Sequence, residues 1–289
     1  MDSLLFLDLD LDLDLIIFLF GFRFGFGLDF GLGLDRILDS LLFLDLDLDL
    51  DSNFKMDLDL ESILIFYGFE LGIGFELDIR TTNDGHLVVL HDDNVKRTTD
   101  GTARSVRDMT LAEIQQLDAG TWFGQSFAGL LVPTLEETLS LVKERKCGVT
   151  IIALNVKQLN RDGEAKLVAL VERYQLLEES FAFDQNAEMS HRLKLLNPKF
   201  RIGQNVNRTS IQTRIDEDFL DVFLLTGTPT SEEVNLLHDQ GKQALFNFAG
   251  NGEGRRNPSV WKQVQAAGID GILTDYPLEC RTAWRDAVD

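Results

Sequence analysis

The sequence predicts an α/β protein in which strands and helices alternate around a closed (β/α) barrel. Three observations support this. From Gly74 onward, eight short strand-like runs recur, and most are separated by segments with helical pattern and readable caps. That number of repeats favours a closed barrel. No Gly-rich phosphate loop follows any strand, which places the open doubly wound sheet second.

The elements follow an N-terminal tract of different character. Residues 1–62 use mainly Leu, Asp, Phe and Gly, as LDLDLDL at 7–13 and 44–50 and FGFRFGFG at 20–27. The alternation has the period of a half-buried strand, but Asp is a poor strand former and so narrow a composition cannot fill a core. Little order is expected there, beyond one opportunistic strand or helix. The repeated hexanucleotide GATTTG encodes Asp-Leu in one frame and Phe-Gly two bases on. One expanded DNA repeat therefore accounts for both tract types, and sequencing the coding DNA tests that origin. Residues 63–289 form the expected folded domain.

Within that domain the strand-like runs are Gly74–Arg80, His86–His91, Gly148–Lys157, Ser180–Asp184, Arg201–Val206, Asp221–Thr226, Gln243–Ala249 and Gly271–Thr274. Asn83-Asp84-Gly85 is a tight-turn signal that can make the first two runs a hairpin, a local departure from parallel order. Thr110 with Glu113 and Thr134 with Glu137 have capping-box spacing. Pro258 after Asn257 suits a helix start, and Gly268 suits its end.

Charge and composition exclude several functions. The net charge is -21, but residues 1–69 alone carry 15 acidic and 3 basic side chains. Neither part offers a basic face for a nucleic-acid backbone. Cys147 and Cys280 fall in no metal-ligand spacing and read as unpaired thiols. The acidic start lacks the basic region of a signal peptide, and the apolar run 15–22 is too short to span a bilayer. A soluble, cytoplasmic protein without an integral membrane segment is expected; oligomeric state is left open.

The chemistry concentrates in residues 74–101, GFELDIRTTNDGHLVVLHDDNVKRTTDG. As a strand, it turns Glu76, Asp78 and Arg80 to one face and Phe75, Leu77 and Ile79 to the other. Two carboxylates two residues apart converge on one hard divalent metal, or else belong to a solvated outer face. His91 closes the next run, at the strand end where barrels build active sites, and its side chain suits proton transfer near neutrality. Asn155 and Lys157 lie in the strand-like ALNVK.

The ordered set E-x-D, T-x-x-D-G, V-V-x-H-D and R-T-T-x-G resembles the signature of glycerophosphodiester phosphodiesterases. LDAGTWFG (117–124), PTLEETL (133–139), ALFNF and GIDGILTDYP (268–277) are similar to later parts of that family, in the expected order. The resemblance covers roughly residues 72–285. It implies a TIM-type barrel of the phospholipase-C kind that hydrolyses glycerophosphodiesters to glycerol 3-phosphate and an alcohol with a divalent metal, Ca²⁺ or Mg²⁺. Glu76 and Asp78 match its metal ligands, His91 one of two acid/base histidines, and Lys157 a lysine on the substrate phosphate.

Two positions depart from the pattern. Asn155 stands where the family has a third metal-binding glutamate; its amide oxygen still suits Ca²⁺ but brings no charge. The family's first strand ends in His-Arg, whereas no histidine precedes His86 here. The first strand–helix unit is therefore expected to be atypical or missing. The alternative function is a barrel that binds metal or phosphodiester without turnover. His86 is expected to be exposed, and His191 and His238 to serve surface or packing roles. Trp122, Phe123 and Phe127 are candidates for a pocket wall, or for the core of a loop.

Overall fold

Nine strands and eight α-helices make up the described part of the chain. The computed structural model describes residues 4–8, 73–146, 150–247 and 256–285, all within one unit. The strands are β1 (Leu4–Asp8), β2 (Ile73–Thr81), β3 (Leu87–Val89), β4 (Ile152–Gln158), β5 (Ser180–Phe183), β6 (Gly203–Asn207), β7 (Val222–Thr226), β8 (Gln243–Asn247) and β9 (Gly271–Thr274). The helices are α1 (Leu111–Ile114), α2 (Leu135–Arg145), α3 (Arg161–Arg173), α4 (Ala187–Leu196), α5 (Ile211–Arg214), α6 (Ser231–Asp239), α7 (Pro258–Ala266) and α8 (Pro277–Arg285).

Eight parallel strands run in the order β5-β4-β2-β1-β9-β8-β7-β6. The two ends of that path meet through one parallel bridge, Ala182 with Ile202, where the Ala182 N–H donates to the Arg201 carbonyl at 3.0 Å. The architecture is TIM-barrel-like. Its eight strands are not the eight read from the sequence. The run 86–91 contributes β3, which pairs antiparallel with β2 and lies off the path. The hairpin forms because Gly85, at φ +80, lets its N–H reach the Thr82 carbonyl at 3.0 Å.

The eighth place is filled by β1, which the strand pattern did not single out. It inserts between β2 and β9, with Leu5 opposite Ile73 and Ile272. The first strand is thus present, though atypical. A central parallel strand is buried on both faces and favours a continuous apolar run. LLFLD supplies that run, whereas the strict Leu-Asp alternation after it does not. The expectation of little order in the rest of residues 1–62 falls outside the described residues. So does Cys147; Cys280 is buried.

Two apolar layers hold the sheet. Phe75, Leu77, Ile79, Ile152, Leu154 and Val156 face outward and pack with Leu135, Leu139 and Val142 of α2 and Leu167, Val168 and Val171 of α3. A second cluster joins Ile151, just before β4, with the strand residues Ala153, Phe181, Phe183, Val222, Leu224, Leu245 and Leu273 across the inside of the curved sheet. Gly203 is required there, because a Cβ at this position would stand 2.7 Å from Phe181 Cδ2 and 3.0 Å from Leu224 Cδ1. Reciprocal capping boxes start α1 at Thr110, α2 at Thr134 and α6 at Thr230. Asn257 caps α7 with Pro258 in its first turn.

Candidate active site

The alternation of β2 decides where its carboxylates go. With Phe75, Leu77 and Ile79 fully buried against the helices, Glu76 and Asp78 must project to the inner face. They are 2% and 4% exposed, so the solvated-face reading does not hold. Asp78 is the register partner of Asn155 on β4, and Glu76 that of Ala153. A bulge between Ile79 and Arg80 leaves Lys157 without a partner in that register. The Lys157 Nζ lies 3.2 Å from Asp78 Oδ1 and 3.9 Å from Asp184 Oδ2. Burial works against the Lys157 charge, but Asp78, Glu76 and Asp184 outweigh it and hold the ammonium above its ordinary value.

Asn155 is 7% exposed, and its Oδ1 is buried with no hydrogen-bond partner among the described residues. A buried amide oxygen without a donor costs stability unless a cation or water meets it. Glu76, Asp78 and Asn155 are all hard oxygen donors on adjacent strands, and such a set fits a hard divalent cation. Among the described residues no group of three or more His, Cys, Asp and Glu side chains suits a metal ion. The third oxygen of this set belongs to an amide.

His91 reaches the same end of the sheet through the hairpin. The Leu90 N–H donates to the Asp78 carbonyl at 2.9 Å. Arg80 then fastens the turn that follows, its Nε donating to the Leu90 and His91 carbonyls at 3.1 Å and its Nη2 to the His91 carbonyl at 2.5 Å. His91 Nδ1 stands 2.9 Å from Asp92 Oδ1. The structure therefore brings Glu76, Asp78, Asn155 and Lys157 together, with His91 joined to β2 beside them.

Three polar residues extend the site and were not foreseen. Asp184 directly follows β5, in the left-handed region at φ 69, and its Oδ1 accepts from Asn205 Nδ2 at 3.3 Å. Asn205 Oδ1 accepts from Asn247 Nδ2 at 2.6 Å, which links β6 to β8. Asn247 alone carried a sequence signal, as a polar residue in the apolar run ALFNF; Asn205 lies in the polar run GQNVN and Asp184 just after β5.

The other three histidines of the four in the chain do not join this set. His86 is exposed at the opposite end of β3 from His91. His191 packs on Phe219, with ring centroids 4.6 Å apart, and His238 Nε2 lies 3.0 Å from Asp270 Oδ2. β1 ends in Leu7-Asp8, with Asp8 at the register position of Glu76, so the strand brings no His-Arg pair. Phe127 is buried, and Phe123 packs edge-on against both it and Trp122, so these aromatics form the core of their own loop.

Residues 67–279 match the glycerophosphoryl diester phosphodiesterase family. The chain belongs to that family. Its members are phosphodiesterases, and thus phosphoric diester hydrolases. Similar proteins include a glycerophosphodiester phosphodiesterase of Caldanaerobacter subterraneus, 33% identical over 207 residues that cover 70% of this chain and 82% of the relative. A glycerophosphodiester phosphodiesterase of Bacillus subtilis is 39% identical over 224 residues, covering 70% and 73%. Among solved structures, an Oleispira antarctica phosphodiesterase in complex with the product sn-glycerol-3-phosphate superposes with a TM-score of 0.60 at 24% identity, covering 77% of this chain and 89% of that one. That likeness supports the fold. The family match begins far downstream of β1, so the strand that completes the sheet comes from outside the matched region. Among the described residues no helix is long and apolar enough to cross a membrane.

Proposed function

We propose that this chain hydrolyses glycerophosphodiesters to glycerol 3-phosphate and an alcohol, with Glu76, Asp78 and Asn155 holding a divalent cation, Ca²⁺ or Mg²⁺. The observation that carries the reading is the buried oxygen set on β2 and β4, with the Lys157 ammonium 3.2 Å from Asp78. A bound cation supplies charge neutralisation of the phosphodiester. Lys157 binds a phosphate oxygen, its charge kept by the surrounding carboxylates. His91 moves the proton, giving it to the leaving oxygen or taking it from the attacking one. The polar chain Asp184–Asn205–Asn247 gives the neighbouring wall hydrogen-bonding groups suited to hydroxyls of a small polar substrate.

The test is incubation with glycerophosphocholine and Ca²⁺ or Mg²⁺, followed by assay of glycerol 3-phosphate. Cation-dependent release is expected. Release no greater than from a His91→Ala control defeats the proposal. A second reading, binding without turnover, draws on the single histidine of the site and on the neutral Asn155. Calorimetric binding of cation or phosphodiester with no product would favour it.

A further inference from the structure

We propose that Asp92 and Arg97 are positioning residues that fix the ring and tautomer of His91. The inference rests on the reading of His91 as the proton-transfer group. Arg97 grips Asp92 with two parallel contacts, Nε to Oδ2 at 2.8 Å and Nη2 to Oδ1 at 2.9 Å. Asp92 Oδ1 in turn meets His91 Nδ1 at 2.9 Å. A bidentate guanidinium–carboxylate pair has a fixed geometry, so it sets the direction in which Oδ1 points.

The chemistry of the carboxylate decides the tautomer. The Arg97 hydrogen bonds, opposed by partial burial and helped by His91, lower the Asp92 carboxyl to about 2. Asp92 is therefore ionised at neutral pH and can only accept hydrogen bonds. Nδ1 must then be the donor, and Nε2 is the nitrogen that takes up or hands on a proton. From β2, Arg80 holds the His91 carbonyl, so backbone and ring are fixed by separate guanidinium groups. Burial lowers Arg80 below its ordinary value, opposed by Asp78, Asp93 and Asp92. Exposed ion pairs contribute little to stability. Arg97 and Asp92 are 44% and 23% exposed, which makes orientation the larger effect of this pair.

The Asp92→Asn variant tests this in the full-length chain. Its amide can donate to Nδ1 and so permits the opposite tautomer. Long-range ¹H–¹⁵N NMR of His91 is expected to show Nδ1–H in the wild type and a shift toward Nε2–H in D92N. With glycerophosphocholine, kcat should fall on the order of 10²-fold while KM changes by less than about threefold. Arg97→Gln should produce a smaller loss in the same direction, and it reads the same contact if D92N fails to fold. A folded D92N with the wild-type tautomer, or with wild-type kcat, overturns the proposal. If the wild type shows no turnover, the hydrolase reading fails by itself, and the tautomer measurement still decides the role of Asp92.

Discussion

Replacing Asn155 by Asp separates a cation site from a merely polar interior. The substitution keeps the side-chain shape and adds one negative charge at a position only 7% exposed. Its register partner is Asp78, and paired strands lie about 4.8 Å apart. Two carboxylates about 5 Å apart repel by roughly 3 kcal/mol at an effective dielectric of 20. Lys157, already on Asp78, offsets part of this and leaves a cost of about 1–2 kcal/mol. The cation-free variant should therefore melt a few degrees below wild type. A cation reverses the sign, because a third carboxylate strengthens an oxygen site. At one hundred times its Kd, a bound ion adds about 2.7 kcal/mol. The assay is thermal denaturation of both proteins in EDTA, Ca²⁺ and Mg²⁺, with calorimetric titration of the ion. If N155D is as stable as wild type in EDTA and gains no more from either cation, the buried oxygen set is not a cation site.

Three further outcomes concern stability. Gly203→Ala places a Cβ 2.7 Å from Phe181, and such overpacking should cost about 1–3 kcal/mol in urea unfolding; an unchanged midpoint would contradict the interior packing described above. Thr134→Ala removes one half of the capping box of α2 and should cost about 1 kcal/mol by the same measurement. The Asp92 carboxyl lies below its ordinary value of 3.8, at about 2. Its contribution is therefore fully present above about pH 4 and lost as pH falls through about 2. Acid unfolding of Arg97→Gln should show less of this loss than wild type, and superimposable curves would remove the ion pair as its cause.

Much of this protein was determined by local sequence. The capping boxes at Thr110 and Thr134, the turn at Gly85 and the outward run Phe75, Leu77 and Ile79 depend only on residues a few positions apart. The same holds for the placement of Glu76 and Asp78 on one face, since strand periodicity fixes it. Which partner a strand takes is not local. The β2–β3 hairpin is the exception, because the Asn83-Asp84-Gly85 turn signals it, whereas nothing local names β4 as the parallel partner of β2.

The first strand shows the limit most clearly. LLFLD occurs at 4–8 and again at 41–45, so local sequence contains no information that distinguishes the two copies. Only the pairing of residues 4–8 with both β2 and β9 identifies β1. The site divides in the same way. Residue types and spacing marked Glu76, Asp78 and His91, whereas Asn155 and Lys157 were marked by the family resemblance. Their burial, the contact of Lys157 with Asp78, and the Arg97–Asp92–His91 chain follow from folding, because distance and dielectric between separate segments are set by packing and not by sequence spacing.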